Sequence, residues 1–213
     1  MRNDAAAGGR SAVAVLAGVM ALLAAGCGSS SSSATGATAT HHAMPSHSAT
    51  ASASAASATF GPDCGMVPAS GMGSFHGMSM DPVVTAAAHN PLLTTFAADV
   101  KTAGLTGDLN TMHAFTVFAP ANSAFSKIPD AQMAMMHTPA ELARILKYHV
   151  VSGRVTPAEL ASGMTFTTLA GGTLKGAKMG AVYEVNNADV ICGNIQTANA
   201  TVYVISKVLI PAH

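Results

Sequence analysis

Between residues 80 and 211 the apolar positions change rhythm once. Val83, Val84 and Ala87 follow Asp81-Pro82, a pair suited to an N-cap and first helical turn. Asn90-Pro91 repeats the device ahead of Leu92, Leu93, Phe96 and Val100 at helical spacing, and Gly104 and Gly107 are expected to break that helix. Phe115-Thr-Val-Phe-Ala119 is rich in strand formers and stops at Pro120, which predicts a buried strand; Asn122 is placed to cap a short helix bearing Ala124 and Phe125. Thr138-Pro-Ala-Glu141 has the form of a capping box, and Leu142, Ile145, Leu146 and His149 share one face of the helix it opens. Thr156-Pro-Ala-Glu159 repeats the box for a second short helix. Beyond residue 164 the spacing becomes strand-like, over 165–169, 174–178, 181–185, 190–192 and 201–209, with Gly171-Gly172 and Asn186-Asn187 as turns. Helices first and strands later predict an α+β fold rather than a βαβ array.

Upstream the pattern is different in kind. Residues 1–26 combine Arg2 and Arg10 with an uncharged apolar run from Ser11 to Ala25. That run, about 15 residues, falls short of the roughly 20 that a membrane-spanning helix needs, so it predicts an export signal peptide. Leu23-Ala-Ala-Gly26 leading into Cys27 resembles the bacterial lipobox, although Ala24 stands where a leucine is usual. The resemblance implies that Cys27 is acylated and anchors the mature chain to the membrane; an ordinary signal peptide with an incidental cysteine is the other reading. Residues 27–59 then form a tether. From Gly28 to Thr59 there is no Asp, Glu, Lys or Arg, and 25 of 32 residues are Ser, Ala or Thr, too small to repay an ordering cost of roughly 1–2 kcal/mol per residue. Residues 60–213 remain, the length of one domain.

Composition narrows the function. Ten basic residues balance ten acidic ones and only 9% of the chain is charged, which excludes a basic nucleic-acid binder. No G-x-S-x-G elbow, phosphate loop, H-E-x-x-H or C-x-x-C is present, and no catalytic residue is assigned. Gly71-Met-Gly73 starts like a dinucleotide fingerprint but has His76 where the third glycine belongs. The unusual counts are 13 Met and 9 His. Met66, Met72, His76, Met78 and Met80 crowd one stretch, Met133, Met135, Met136 and His137 another, and His41, His42, Met44 and His47 lie in the tether. Thioethers and imidazoles suit Cu(I), so an envelope copper-binding protein using Met72, His76, Met78 and Met80 is the alternative function; packing is the simpler role for these side chains.

Three blocks resemble the fasciclin-like domain family. Thr116-Val-Phe-Ala-Pro-Ala-Asn-Ser-Ala-Phe125 and Asn199-Ala-Thr-Val-Tyr-Val-Ile-Ser-Lys-Val-Leu-Ile-Pro211 look like its two signature boxes, and Tyr148-His149-Val150-Val151 like its central Tyr-His segment. Phe60-Gly-Pro-Asp-Cys64, Met78-Ser-Met-Asp-Pro82 and Ala188-Asp-Val-Ile-Cys-Gly193 are similar to a branch of small secreted or lipid-anchored mycobacterial antigens. The resemblance implies a wedge of two small β-sheets with helices packed on one side, and a disulfide between Cys64 and Cys192. It implies a non-catalytic role in adhesion to matrix, cell-wall or protein partners outside the cytoplasm; a monomeric domain without a cofactor is expected, making contact through exposed loops and helix faces around the core, near Tyr148 and His149. The motif residues Thr116, Phe118, Pro120, Asn122, Phe125, Tyr148, His149, Asn199, Ala200 and Val202 have a structural reading of their own. Val202, Val204, Val208 and Ile210 alternate as one inward face with Tyr203 and Ile205 on the other, and His149 suits a core histidine donating a ring N–H to a backbone carbonyl. Asn199-Ala-Thr201 matches a glycosylation sequon but falls inside a box and is set aside.

Overall fold

Two strands with apolar side chains on both faces organise the fold. β1 (Phe115–Pro120) and β7 (Ala200–Ile205) are buried along their whole length. They lie parallel, Phe115 opposite Ala200 through Pro120 opposite Ile205. A computed structural model describes residues 59–129 and 138–211. The expected signal peptide, Cys27, the expected tether up to residue 58 with its His41, His42, Met44 and His47, and Met133, Met135, Met136 and His137 therefore lie outside the described residues.

Among the described residues the first element is a 3-10 turn at Pro62–Met66, followed by α1 (Phe75–Met80), α2 (Val83–His89), α3 (Thr94–Thr102) and α4 (Thr106–Thr111). After β1 come α5 (Asn122–Phe125), α6 (Pro139–Tyr148), β2 (Val150–Ser152) and α7 (Pro157–Ala161). β3 (Thr165–Thr167), β4 (Thr173–Met179), β5 (Val182–Val185) and β6 (Ala188–Gln196) complete the sheet with β7. Its order is β2-β1-β7-β6-β5-β4-β3, antiparallel except for β1 against β7.

One seven-stranded sheet thus replaces the two small sheets expected. The reason is β6, long enough to pair with β5 at Ala188 and Asp189 and with β7 from Val190 to Gln196. Its register shifts between Val190 and Cys192, and again between Cys192 and Ile195. Each shift inserts an extra residue, bends the strand and curls the sheet. The curled sheet nearly closes: Val151 on β2 bridges Thr168 just past β3, and the Leu169 N–H donates to the Val150 carbonyl at 2.8 Å. The shifts also break the alternation of side chains, so that Val190 faces one core while Cys192 and Ile195 face the other.

Those two cores occupy opposite faces of the sheet. On the outer face Phe115, Val117, Ala119, Val202 and Val204 meet Val84, Leu93, Phe96, Val100 and Leu109 from α2, α3 and α4, and Leu142 and Leu146 from α6. Inside the curl Phe118, Tyr203 and Ile205 meet Leu160, Phe166, Leu174, Val185 and Leu209. Each large side chain fully buried this way contributes about 1.5–3 kcal/mol. Because Leu160 of α7 fills the inner core, the helices are not all on one side.

Several local expectations are corrected. β7 ends at Ile205, so Val208 and Ile210 lie beyond the strand. Asp81 does not cap α2, whose N-cap is Pro82; α3 begins at Thr94, and Gly107 lies within α4. Asn122 forms no cap bond with α5. The second capping box is complete: the Thr156 hydroxyl accepts the Glu159 N–H and Glu159 accepts the Thr156 N–H. At Thr138 only the hydroxyl half forms, accepting the Glu141 N–H at 3.2 Å. α1, which carries no strong helix signal, starts where Ser74 Oγ accepts the Gly77 N–H. The disulfide joins Cys64 to Cys192, and beside it Phe60 and Gly193 exchange backbone hydrogen bonds, fastening the start of the domain to the bulged part of β6.

Candidate functional site

The three motif blocks meet around the ends of β1 and β7, where Thr116, Asn122, Tyr148, His149, Asn199 and Tyr203 make internal hydrogen bonds while Ser123 and Lys207 stay exposed. Asn199, 3% exposed, stands just before β7. Its Oδ1 accepts the Val83 N–H at 2.9 Å, the amide that opens α2. Its Nδ2 donates to the carbonyls of Leu109 at 2.8 Å and Met112 at 2.9 Å, with Asn110 at 3.2 Å sharing. One side chain thereby caps α2 and holds the last turn of α4, a task proline at the N-cap cannot perform. An amide nitrogen so committed is closed to a sugar donor. Asn122 acts likewise for α3: Oδ1 accepts the Thr95 N–H at 2.9 Å, and Nδ2 donates to the Pro91 carbonyl at 2.8 Å and the Thr94 hydroxyl at 3.0 Å. Its target is a distant helix, which sequence spacing does not reveal.

His149 follows α6 and is 1% exposed. Nδ1–H donates to the Ile145 carbonyl at 2.9 Å, and Nε2 accepts the Leu209 N–H at 2.9 Å. The two bonds set a neutral tautomer. Burial pushes the imidazole down to about 4, the bond to Ile145 offsetting only part of it. The expected core histidine is borne out, and its second bond pins the chain after β7.

Thr116 donates to the Gly153 carbonyl and accepts the Val155 N–H, both at 2.8 Å. Tyr148 is buried, and its hydroxyl donates to the Thr173 carbonyl at 2.9 Å. Tyr203, whose function as a polar anchor the motif did not disclose, donates to the Val155 carbonyl at 2.8 Å; burial raises its pKa, so the phenol stays a donor. Phe118 stacks on Tyr203 with centroids 5.6 Å apart. Pro120 closes β1, Phe125 packs half-buried against the outer core, and Ala200 and Val202 face that core from β7. Tyr148 and His149 are both buried, so neither ring is itself presented at the surface.

Two openings among the described residues lie near these elements and the methionine-rich segment. One, about 430 Å³, lies between α4 and α6 and is lined by Leu105, Leu109, Met112, Leu146 and Leu169, with Asp108 and Lys147 at its rim. The other, about 480 Å³, is bounded by the turn at residues 69–72 and by α1, and is lined by Met72, Ser74, His76, Met80 and Asp81. Met78 is not there. It is 1% exposed, part of the outer core, and its Sδ accepts a hydrogen bond from Asn90 Nδ2 at 3.3 Å, so the four residues Met72, His76, Met78 and Met80 do not form one set. Among the described residues no group of three or more His, Cys, Asp or Glu could hold a metal ion.

A parallel pair of buried strands, helices held by asparagine side chains, and a bulged, nearly closed sheet make up an α+β fold of the fasciclin class. The Fasciclin domain family model matches residues 91–211, and the chain belongs to that family. It is 43% identical over 164 residues to the immunogenic protein MPB70 of Mycobacterium bovis, covering 71% of this chain and 81% of that one. It is also 43% identical over 154 residues to the cell surface glycolipoprotein MPB83 of the same organism, covering 67% and 66%. Its fold matches a domain pair from the insect cell adhesion molecule Fasciclin I with a TM-score of 0.51 at 16% identity, over 63% of this chain and 52% of that one. No helix among the described residues is long and apolar enough to cross a membrane.

Proposed function

We propose that this protein is a non-catalytic interaction module displayed outside the cytoplasm, held to the membrane by a lipid on Cys27 and spaced from it by the tether over residues 27–59. One observation carries the reading: Asn199, Asn122, His149 and Tyr203 of the family blocks commit their polar atoms to internal bonds, so the blocks build a rigid frame and contact with partners falls to the exposed surface around it. Kinship with a cell surface glycolipoprotein supports the surface location and the lipid, and the Ser/Thr-rich tether offers hydroxyls to sugars. Adhesion to extracellular matrix, cell-wall polymer or surface protein is the activity that suits such a frame.

Two measurements test it. Beads carrying residues 60–213 are passed over immobilised matrix proteins and purified cell-wall polymers; saturable retention that survives a metal chelator is the expected result, and retention no better than an inert protein contradicts adhesion. Detergent-phase partitioning of the full chain against Cys27→Ser tests the anchor: the parent enters the detergent phase and the variant stays aqueous, whereas equal partitioning removes the lipid.

A further inference from the structure

The depression beside α1 separates methionines that pack from methionines that do not. Met78 points into the outer core, whereas Met72 is 57% and Met80 72% exposed. His76 and Met80 are four residues apart on α1 and so share a face, and both line the depression with Met72. Gly77 makes the arrangement possible. A Cβ there would collide with the Gly71 carbonyl and stand 2.7 Å from the Met72 Cα, so only glycine lets the turn bearing Met72 settle against the helix. Ser74 fixes both parts, its hydroxyl donating to the Gly71 carbonyl at 2.6 Å while accepting the Gly77 N–H at 3.1 Å.

The geometry points to a soft-metal site at this rim: Met72 Sδ, His76 imidazole and Met80 Sδ bind one Cu(I) ion, the glycine-seated turn supplying the third donor. The site is independent of the adhesive reading. Two thioethers and an imidazole are neutral ligands that favour a soft monovalent ion over Mg²⁺ or Ca²⁺, which call for oxygen donors. The single carboxylate on the rim, Asp81, stands 4.0 Å from His89 Nδ1 and supplies compensating charge rather than a hard cage. Packing does not account for Met72 and Met80, because the same short segment spends Met78 on the core and leaves these two in water. Met66 and Met179, 55% and 66% exposed and outside this depression, serve as internal controls.

The test uses the full chain labelled with ¹³C at the methionine methyls and titrated anaerobically with Cu(I) against a competing chelator, then with Ag(I) as a redox-inert surrogate. Expected are joint shifts of the Met72 and Met80 methyls and the His76 ring with one ion per site, a dissociation constant tighter than about 1 µM, and still methyls at Met66 and Met179. Met72→Leu with Met80→Leu, and separately His76→Asn, weaken binding at this site by about tenfold or more while circular dichroism stays unchanged. Static Met72 and Met80 methyls, binding weaker than micromolar, or affinity unaltered in the variants would overturn the proposal; because the signals are assigned, ions held elsewhere on the chain cannot imitate it.

Discussion

Around Asn199, Asn122 and His149 the polar atoms are tied to backbone, whereas at the rim of α1 two thioethers and an imidazole stand in water. The first region holds the signature residues of the family and the second holds none of its three blocks. Signature residues here are hinge pins: they let a crossed, bulged sheet carry helices whose own N-termini lack capping side chains. The side chains that reach outward at the α1 rim are ones the frame does not need.

The comparison predicts a graded series of effects. Largest is loss of the disulfide. Cys64→Ser with Cys192→Ser opens a loop closed across a sequence separation of 128, and urea unfolding should show a loss of about 4–5 kcal/mol. Next is Asn199→Ala, which strands the Val83 N–H and the Leu109 and Met112 carbonyls; a loss of about 3–4 kcal/mol is expected, with amide exchange of α2 and α4 accelerating before that of β7. A loss under about 1 kcal/mol would mean that water replaces the side chain and that the pin is ornamental.

Acid sharpens the same contrast through His149. In the unfolded chain the imidazole binds a proton near its ordinary value of 6.5, while in the fold it resists until about 4. Above pH 6.5 neither state is protonated and the group contributes nothing. As pH falls from 6.5 to 4 only the unfolded state gains the proton, so stability drops, by about 2–3 kcal/mol between pH 7.5 and 4.5, and below 4 the loss levels off. Chemical denaturation across this range should show that drop, and His149→Gln should flatten it. Smallest is the change for Met72→Leu with Met80→Leu, under about 0.5 kcal/mol by thermal melting, since neither side chain is packed. A larger cost there would place these methionines with the frame.

Much of the architecture was legible in the sequence because its determinants are local. β1 announced itself by a continuous apolar run between turn signals, α7 by a complete capping box, and the hairpin turn between β5 and β6 by Asn186-Asn187, whose φ angles of 43° and 63° are left-handed as a tight turn requires. What stayed hidden is non-local. The single sheet depends on two register shifts in β6 that disguise its alternation, and β7 lost its predicted tail because Leu209 leaves the ladder to bond His149. Asn122 looked like the cap of its own helix but serves α3, across 27 residues of chain. At the candidate metal rim the sequence supplied the donor types, and burial alone separated Met78 from its neighbours.

The most direct measurement is the ¹⁵N spectrum of the His149 ring from pH 7.5 to 4.5. If the Tyr-His block is internal framework, Nδ1 carries the proton, Nε2 stays an unprotonated acceptor for the Leu209 amide, and the ring remains neutral until about pH 4. A ring that titrates near its ordinary value, or that carries its proton on Nε2, would show a side chain open to solvent and partners, contrary to this account.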